Sequence, residues 1–178
     1  MLNDSELLSL LDPAGARRSF ARIAADVSSI LPGAEIEHVG ATAVAGCLTK
    51  GDLDILARVT RAEFPLAIQA LDATLQRSVR NDATSDYVEY DFDREGCSAS
   101  IQLVVAGCWH DRRFRRLKSA LASDGEALAS YNELKRCHEG RAMTDYRIAK
   151  AAFIDALLVD WTASDEANDS TVVPGVRE

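Results

Sequence analysis

Val39-Gly40-Ala41-Thr42, followed ten residues on by Asp52-Leu53-Asp54-Ile55-Leu56, is the stretch that decides how this chain folds. The second segment alternates acidic and apolar residues, the period of a strand with one face buried. Side chains alternate along a strand, so Asp52 and Asp54 share one face while Leu53 and Ile55 take the other. Two carboxylates on one face repel unless a cation or solvent separates them. Magnesium suits such a pair, being a hard ion that takes oxygen from one or two carboxylates together with substrate phosphates. Gly40 allows close backbone approach at the preceding turn. Thr42 can cap a short helix whose free amides face a phosphate.

Working outward, helical periodicity runs from Pro13 to Leu31, with Phe20, Ile23, Ala24, Val27 and Ile30 in one apolar stripe, and Pro32-Gly33 ends it. Glu35 to Val39 reads as a strand entering the glycine turn. Thr60-Arg61-Ala62-Glu63 has capping-box spacing and predicts a helix to about Arg77 with Phe64, Ala67, Ile68, Leu71 and Leu75 inward. Residues Tyr87 to Val105 read as a hairpin about Glu95-Gly96, which sets Asp93 opposite Ser98, Asp91 opposite Ser100 and Glu89 opposite Gln102. In that register Val88, Tyr90, Phe92, Ile101 and Leu103 share a face toward helices. The polar face carrying Glu89 and Gln102 is left to solvent or a ligand, and a slip of one residue would mix the two. Three helical segments follow from Asp111, with Asp124 and Thr144 as expected caps. Tyr146, Ala149, Phe153, Leu157 and Trp161 recur at helical spacing.

The run Ile36-Glu37-His38-Val39-Gly40-Ala41-Thr42-Ala43-Val44-Ala45-Gly46 resembles the GrpB-like family, whose typical form is close to EHVGSTAVPG. Ile101-Gln102-Leu103-Val104-Val105, Tyr131 to Arg136 and Tyr146 to Lys150 resemble it in the same order, over roughly residues 15 to 158. Val39-Gly40-Ala41 and Asp52-Leu53-Asp54-Ile55 also resemble the signature of the nucleotidyltransferase superfamily that includes DNA polymerase beta. The resemblance implies an α/β (α+β) fold: a small mixed sheet covered by helices on one face, nucleotidyltransferase-like, with C-terminal helices. It implies Mg2+ at Asp52 and Asp54, a phosphate turn at Gly40, Ala41 and Thr42, and transfer of a nucleotidyl group from a nucleoside triphosphate to an acceptor it does not identify. Two departures stand out. Gln102 occupies the place where the superfamily carries a third acid, and Ala41 replaces a residue that is often Ser or Gly. Glu89, opposite Gln102, could restore the missing carboxylate as a third catalytic acid, or be an acid on a solvated hairpin. Lys50 either brings a cation to a phosphate or balances Asp52 and Asp54. Gln102 favours a different class, a non-catalytic nucleotide- or metabolite-binding module that has lost the third metal-site carboxylate, whereas the intact Asp52-x-Asp54 pair favours the enzyme.

The 178 residues, 47% hydrophobic and 27% charged, predict one soluble domain over 1–161 and a mobile acidic tail over 162–178. A net charge of −8 argues against broad nucleic-acid binding. The basic stripe Arg112, Arg113, Arg115, Arg116 and Lys118 is a solvated helix face or a polyanion contact. Cys47, Cys97, Cys108 and Cys137 lack zinc or disulfide spacing, and His110 and His138 read as helix-surface residues. His38 reads as a strand-end histidine bonded to backbone. No apolar run reaches a membrane span and the N-terminus lacks a signal-peptide pattern, so a cytoplasmic location is expected. No Walker loop, dinucleotide fingerprint or hydrolase elbow is present.

Overall fold

The computed structural model describes residues 13–94 and 97–159. Five strands form one sheet in the order β1-β2-β5-β4-β3. These are β1 (Glu35–Val39), β2 (Leu53–Val59), β3 (Gln76–Arg77), β4 (Tyr87–Arg94) and β5 (Cys97–Val105). β2 and β5 run parallel at the centre; the other neighbours are antiparallel. The hairpin has the register that its alternation demands, with Asp93, Asp91 and Glu89 opposite Ser98, Ser100 and Gln102. Its turn residues Glu95 and Gly96, like Trp161 and the segment 162–178, lie outside the described residues.

Each strand divides its side chains between two unlike faces. Leu53, Ile55, Ala57, Val88, Tyr90, Ile101 and Leu103 are buried with Ile23 and Val27 of α1 (Pro13–Ile30) and Phe64, Ala67 and Leu71 of α2 (Phe64–Asp72). Burying such side chains contributes roughly 1.5–3 kcal/mol each and fixes the register of every strand. On the opposite side, Val39, Leu56, Tyr87 and Val104 form a smaller cluster against Phe114 of α3 (Trp109–Ser123). α4 (Gly125–His138) and α5 (Met143–Leu157) continue from α3, so the C-terminal helices stand over the polar face and leave a cleft there.

Two local expectations change and two hold. α2 ends at Asp72 instead of reaching Arg77, because Gln76 and Arg77 pair with Asp91 and Tyr90 of β4. Arg77 then folds back onto Asp72 with bonds of 2.8 and 2.6 Å. The capping box does form: Thr60 N donates to Glu63 Oε2 at 2.9 Å, and Glu63 N to Thr60 Oγ1 at 3.3 Å. Asp124 caps α4 as expected, accepting from Glu126 N and Ala127 N at 2.9 and 3.1 Å. Thr144 does not cap α5, which starts one residue earlier at Met143, a side chain buried with Tyr146 and against Leu134.

Candidate functional site

The centre of the site is a contact between Gly40 and Asp54. Val39 pairs with Asp54 across β1 and β2, so the chain turns at Gly40 directly over that carboxylate. Gly40 has φ +72°, and a Cβ built there would lie 2.0 Å from Asp54 Oδ2. No other residue type meets both demands. The turn continues as a short 3-10 helix, Ala41–Ala43, with no side-chain cap. Thr42 lies inside it, fully buried, its hydroxyl 2.8 Å from His38 Nε2 and donating to the Asp52 carbonyl at 3.4 Å. Thr42 thus holds the turn against the aspartate segment, and His38, stacked 4.5 Å from Phe20, is bonded to its hydroxyl. Asp52 sits just ahead of β2 and is ion-paired with Lys50.

The polar row of the sheet runs onward from Asp54 to Ser100, which pairs with Asp91 of β4. Glu89 and Gln102 lie one row along and are nearly inaccessible. Burial at that depth requires partners. Arg80 Nη2 donates to Glu89 Oε1 at 3.0 Å and to Ser100 Oγ at 2.8 Å, and also bonds Asp91. Asn81 donates to the other Glu89 oxygen. The Tyr87 hydroxyl reaches Gln102 Oε1 at 2.6 Å and Glu89 Oε2 at 3.3 Å. Glu89 therefore shares the cleft with Asp52, Asp54 and Gln102, already bound to a cation of its own chain.

The helices close the cleft with basic and aromatic side chains. On α4, Asn132 clasps the 46–48 loop at both ends, accepting from Leu48 N and donating to Gly46 O at 2.8 Å each. Lys135, 2% exposed, lies 3.9 Å over the Tyr131 ring and donates to Cys47 Sγ at 3.1 Å and to the Leu48 carbonyl. Burial lowers its pKa, with the Cys47 thiol opposing. These contacts fix the loop that carries Lys50 and Asp52. From α5, Arg147 and Lys150 line the same space. Burial pushes the Asp54 carboxyl above its usual pKa; Lys150 counters this, while Asp52 and Glu89 add to it.

The cleft has two lobes. One, about 380 Å³, is polar and is lined by Lys50, Arg80, Lys135, Arg147 and Lys150 against Asp52, Asp54 and Glu89. Beyond the Lys50–Asp52 and Arg80–Glu89 pairs, Arg147 and Lys150 face Asp54, which makes the lobe a place for added negative charge. The other, about 410 Å³, shares Ala41, Asp54, Tyr87 and Lys150 with the first and extends under α3 to Trp109 and His110. His110 is a half-buried residue of α3: its ring stacks on Tyr87 at 4.2 Å, and burial lowers its pKa. The α3 stripe is engaged within the chain, Arg113 with Asp155 at 2.7 Å and Lys118 with Glu37 at 2.9 Å.

Asp52 and Asp54 offer a hard cation the oxygen pair it favours, and positive charge there would relieve the burial of Asp54. Among the described residues no group of three or more His, Cys, Asp or Glu gathers for a metal. Of the groups in this cleft, sequence reasoning missed Arg80, Asn81, Tyr87, Lys135, Arg147 and Lys150. Lys150 had a signal, since it stands one helical turn from Tyr146 on the apolar stripe. Arg80 and Asn81, in an aperiodic polar stretch, had none.

A family model described as GrpB protein matches residues 13–159. The UPF0157 protein of Vibrio cholerae is 31% identical over 135 residues, 75% of this chain and 70% of that protein. The crystal structure of the conserved protein GrpB from Enterococcus faecalis superimposes with a TM-score of 0.67 at 17% identity, over 85% of this chain and 94% of that one. The Cid1 poly(U) polymerase, in a structure with magnesium and 3'-dATP, gives a TM-score of 0.43 at 13% identity, over 65% of this chain and 38% of that one. No helix among the described residues is long and apolar enough to cross a membrane.

Proposed function

The chain belongs to the GrpB family, and from that premise we propose that it binds a magnesium nucleoside triphosphate in the cleft and transfers its nucleotidyl group to an acceptor. The observation that carries this reading is the Asp54 carboxylate. It lies against a glycine that nothing larger can replace, and opens into a lobe with an excess of cations. Triphosphate oxygens would meet Lys50, Arg147 and Lys150, while Asp52 and Asp54 would hold the metal. The bound ion supplies neutralisation of charge on the phosphates. In the transfer the acceptor hydroxyl oxygen attacks the α-phosphorus, the bond to the β-phosphate oxygen breaks, and pyrophosphate leaves. The hydroxyl proton would pass to a cleft carboxylate, the role proposed for Glu89, which in a two-metal form would exchange Arg80 and Asn81 for a cation.

Gly40 and Ala41 would present backbone to the phosphates, with Thr42 shaping that turn from beneath. Gln102, tied to Tyr87, would orient that hydroxyl and Glu89 without ligating metal.

A second reading has its own support. Arg80, Asn81 and Tyr87 saturate Glu89, as expected of a module that binds a nucleotide without transferring it. Pyrophosphate release from each nucleoside triphosphate, assayed with magnesium and a pool of small hydroxyl compounds, separates the two. Release that depends on an acceptor supports transfer; tight magnesium-dependent binding with no release under any acceptor supports the module.

A further inference from the structure

The two ends of the cleft differ in chemistry, and the difference assigns the orientation of a ligand. Cations exceed acids at the Lys50–Arg147–Lys150 end. At the far end, Arg113 and Lys118 are already neutralised by Asp155 and Glu37, and the wall is largely aromatic and apolar, with Asp82 also lining it. There Trp109 is 42% exposed, with the Arg113 guanidinium over one ring face at 4.9 Å and its ring in edge contact with His110 at 4.8 Å, so stacking is left to the opposite face. Tyr87 joins the ends: its hydroxyl donates to Gln102 at the polar end while its ring carries His110 at the other.

We propose that the lobe walled by Trp109, His110 and Tyr87 is a nucleobase subsite, so that one nucleotide spans the cleft with its phosphates at Asp54 and its base under α3. This rests on the reading of the cleft as a nucleoside triphosphate site. A planar, uncharged ring is what the far lobe suits, because base–aromatic contact needs an exposed π-face and no net charge. His110, whose charged form burial disfavours, has ring nitrogens that could hydrogen-bond a base. The lobe, about 410 Å³, is of ordinary small-ligand size. Its continuity with the polar lobe through Ala41, Asp54 and Lys150 argues for one molecule spanning both.

Calorimetric titration of the full chain with ATP, inorganic triphosphate and adenosine, each with magnesium, tests this. ATP should bind about tenfold or more tighter than inorganic triphosphate, the gain expected from stacking one base. Trp109→Ala, at an unchanged thermal midpoint, should erase that difference and leave inorganic triphosphate affinity as it was. Adenosine should compete with ATP. Equal affinity of ATP and inorganic triphosphate in the wild type, or a difference that survives Trp109→Ala, overturns the base subsite while leaving the phosphate reading intact. Adenosine that binds beside ATP without competing also overturns it, because the lobe then holds a second molecule. Failure of both triphosphates to bind removes the functional reading, and the subsite with it.

Discussion

At the scale of single residues, Gly40 and Asp54 act as one unit. Gly40→Ala places a methyl group where the Asp54 carboxylate now lies and strains a φ of +72°. It should cost about 1–3 kcal/mol by denaturant titration and abolish metal-dependent nucleotide binding, because the carboxylate must move. Retained binding would mean that the contact is incidental. Asp54 also carries a pH signature. Its folded pKa is raised, so the folded state holds the proton more tightly than the unfolded chain does. That contribution is complete below the unfolded value near 3.8 and is lost as pH rises through the folded pKa. Asp54→Asn should therefore raise the thermal midpoint by a few degrees at pH 7, with the gain shrinking toward pH 4. A midpoint that falls at neutral pH would show that the charge stabilises the fold.

At the scale of elements, the β4–β5 hairpin shows what alternation can and cannot reveal. Its register was legible because one face is continuously apolar, and a slip of one residue would bury Asp91 and Glu89 among Ile101 and Leu103. The partners of its polar face were not legible. Arg80 comes from a segment without periodicity, and only the fold brings it to Glu89, Asp91 and Ser100. Likewise β3 is two residues long and continues the Leu71–Leu75 helical spacing, so local pattern favoured a longer α2. Asn132 and Lys135 look like exposed helix positions until the 46–48 loop is laid against them. Arg80→Met should destabilise by about 3 kcal/mol, near the cost of breaking a buried ion pair, with Asn81 left as a donor to Glu89. Adding Glu89→Gln should return most of the loss in a double-mutant cycle. If Glu89→Gln alone leaves stability unchanged but lowers a transfer rate with little change in nucleotide affinity, the acid acts in the transition state. Loss of stability with no change in rate assigns it to Arg80 alone.

For the whole molecule, the sheet separates two tasks. α1 and α2 cover the apolar face and supply the core, while α3, α4 and α5 stand over the polar face and make a cleft of it. The fold class was readable because strand alternation and helical stripes agree with one another along the chain. The cleft was half readable: Asp52 and Asp54 announce themselves by spacing with Lys50 beside them, whereas Arg80 comes from an aperiodic segment and Lys135, Arg147 and Lys150 from helices distant in sequence. The central claim is that this cleft takes a magnesium nucleoside triphosphate through the aspartate pair. Isothermal titration of the wild type and Asp54→Asn with nucleoside triphosphate, in magnesium and in chelator, tests it most directly. The account predicts binding to the wild type that requires magnesium and is lost in Asp54→Asn at an equal or higher thermal midpoint. Binding that is indifferent to both the metal and the substitution would contradict it.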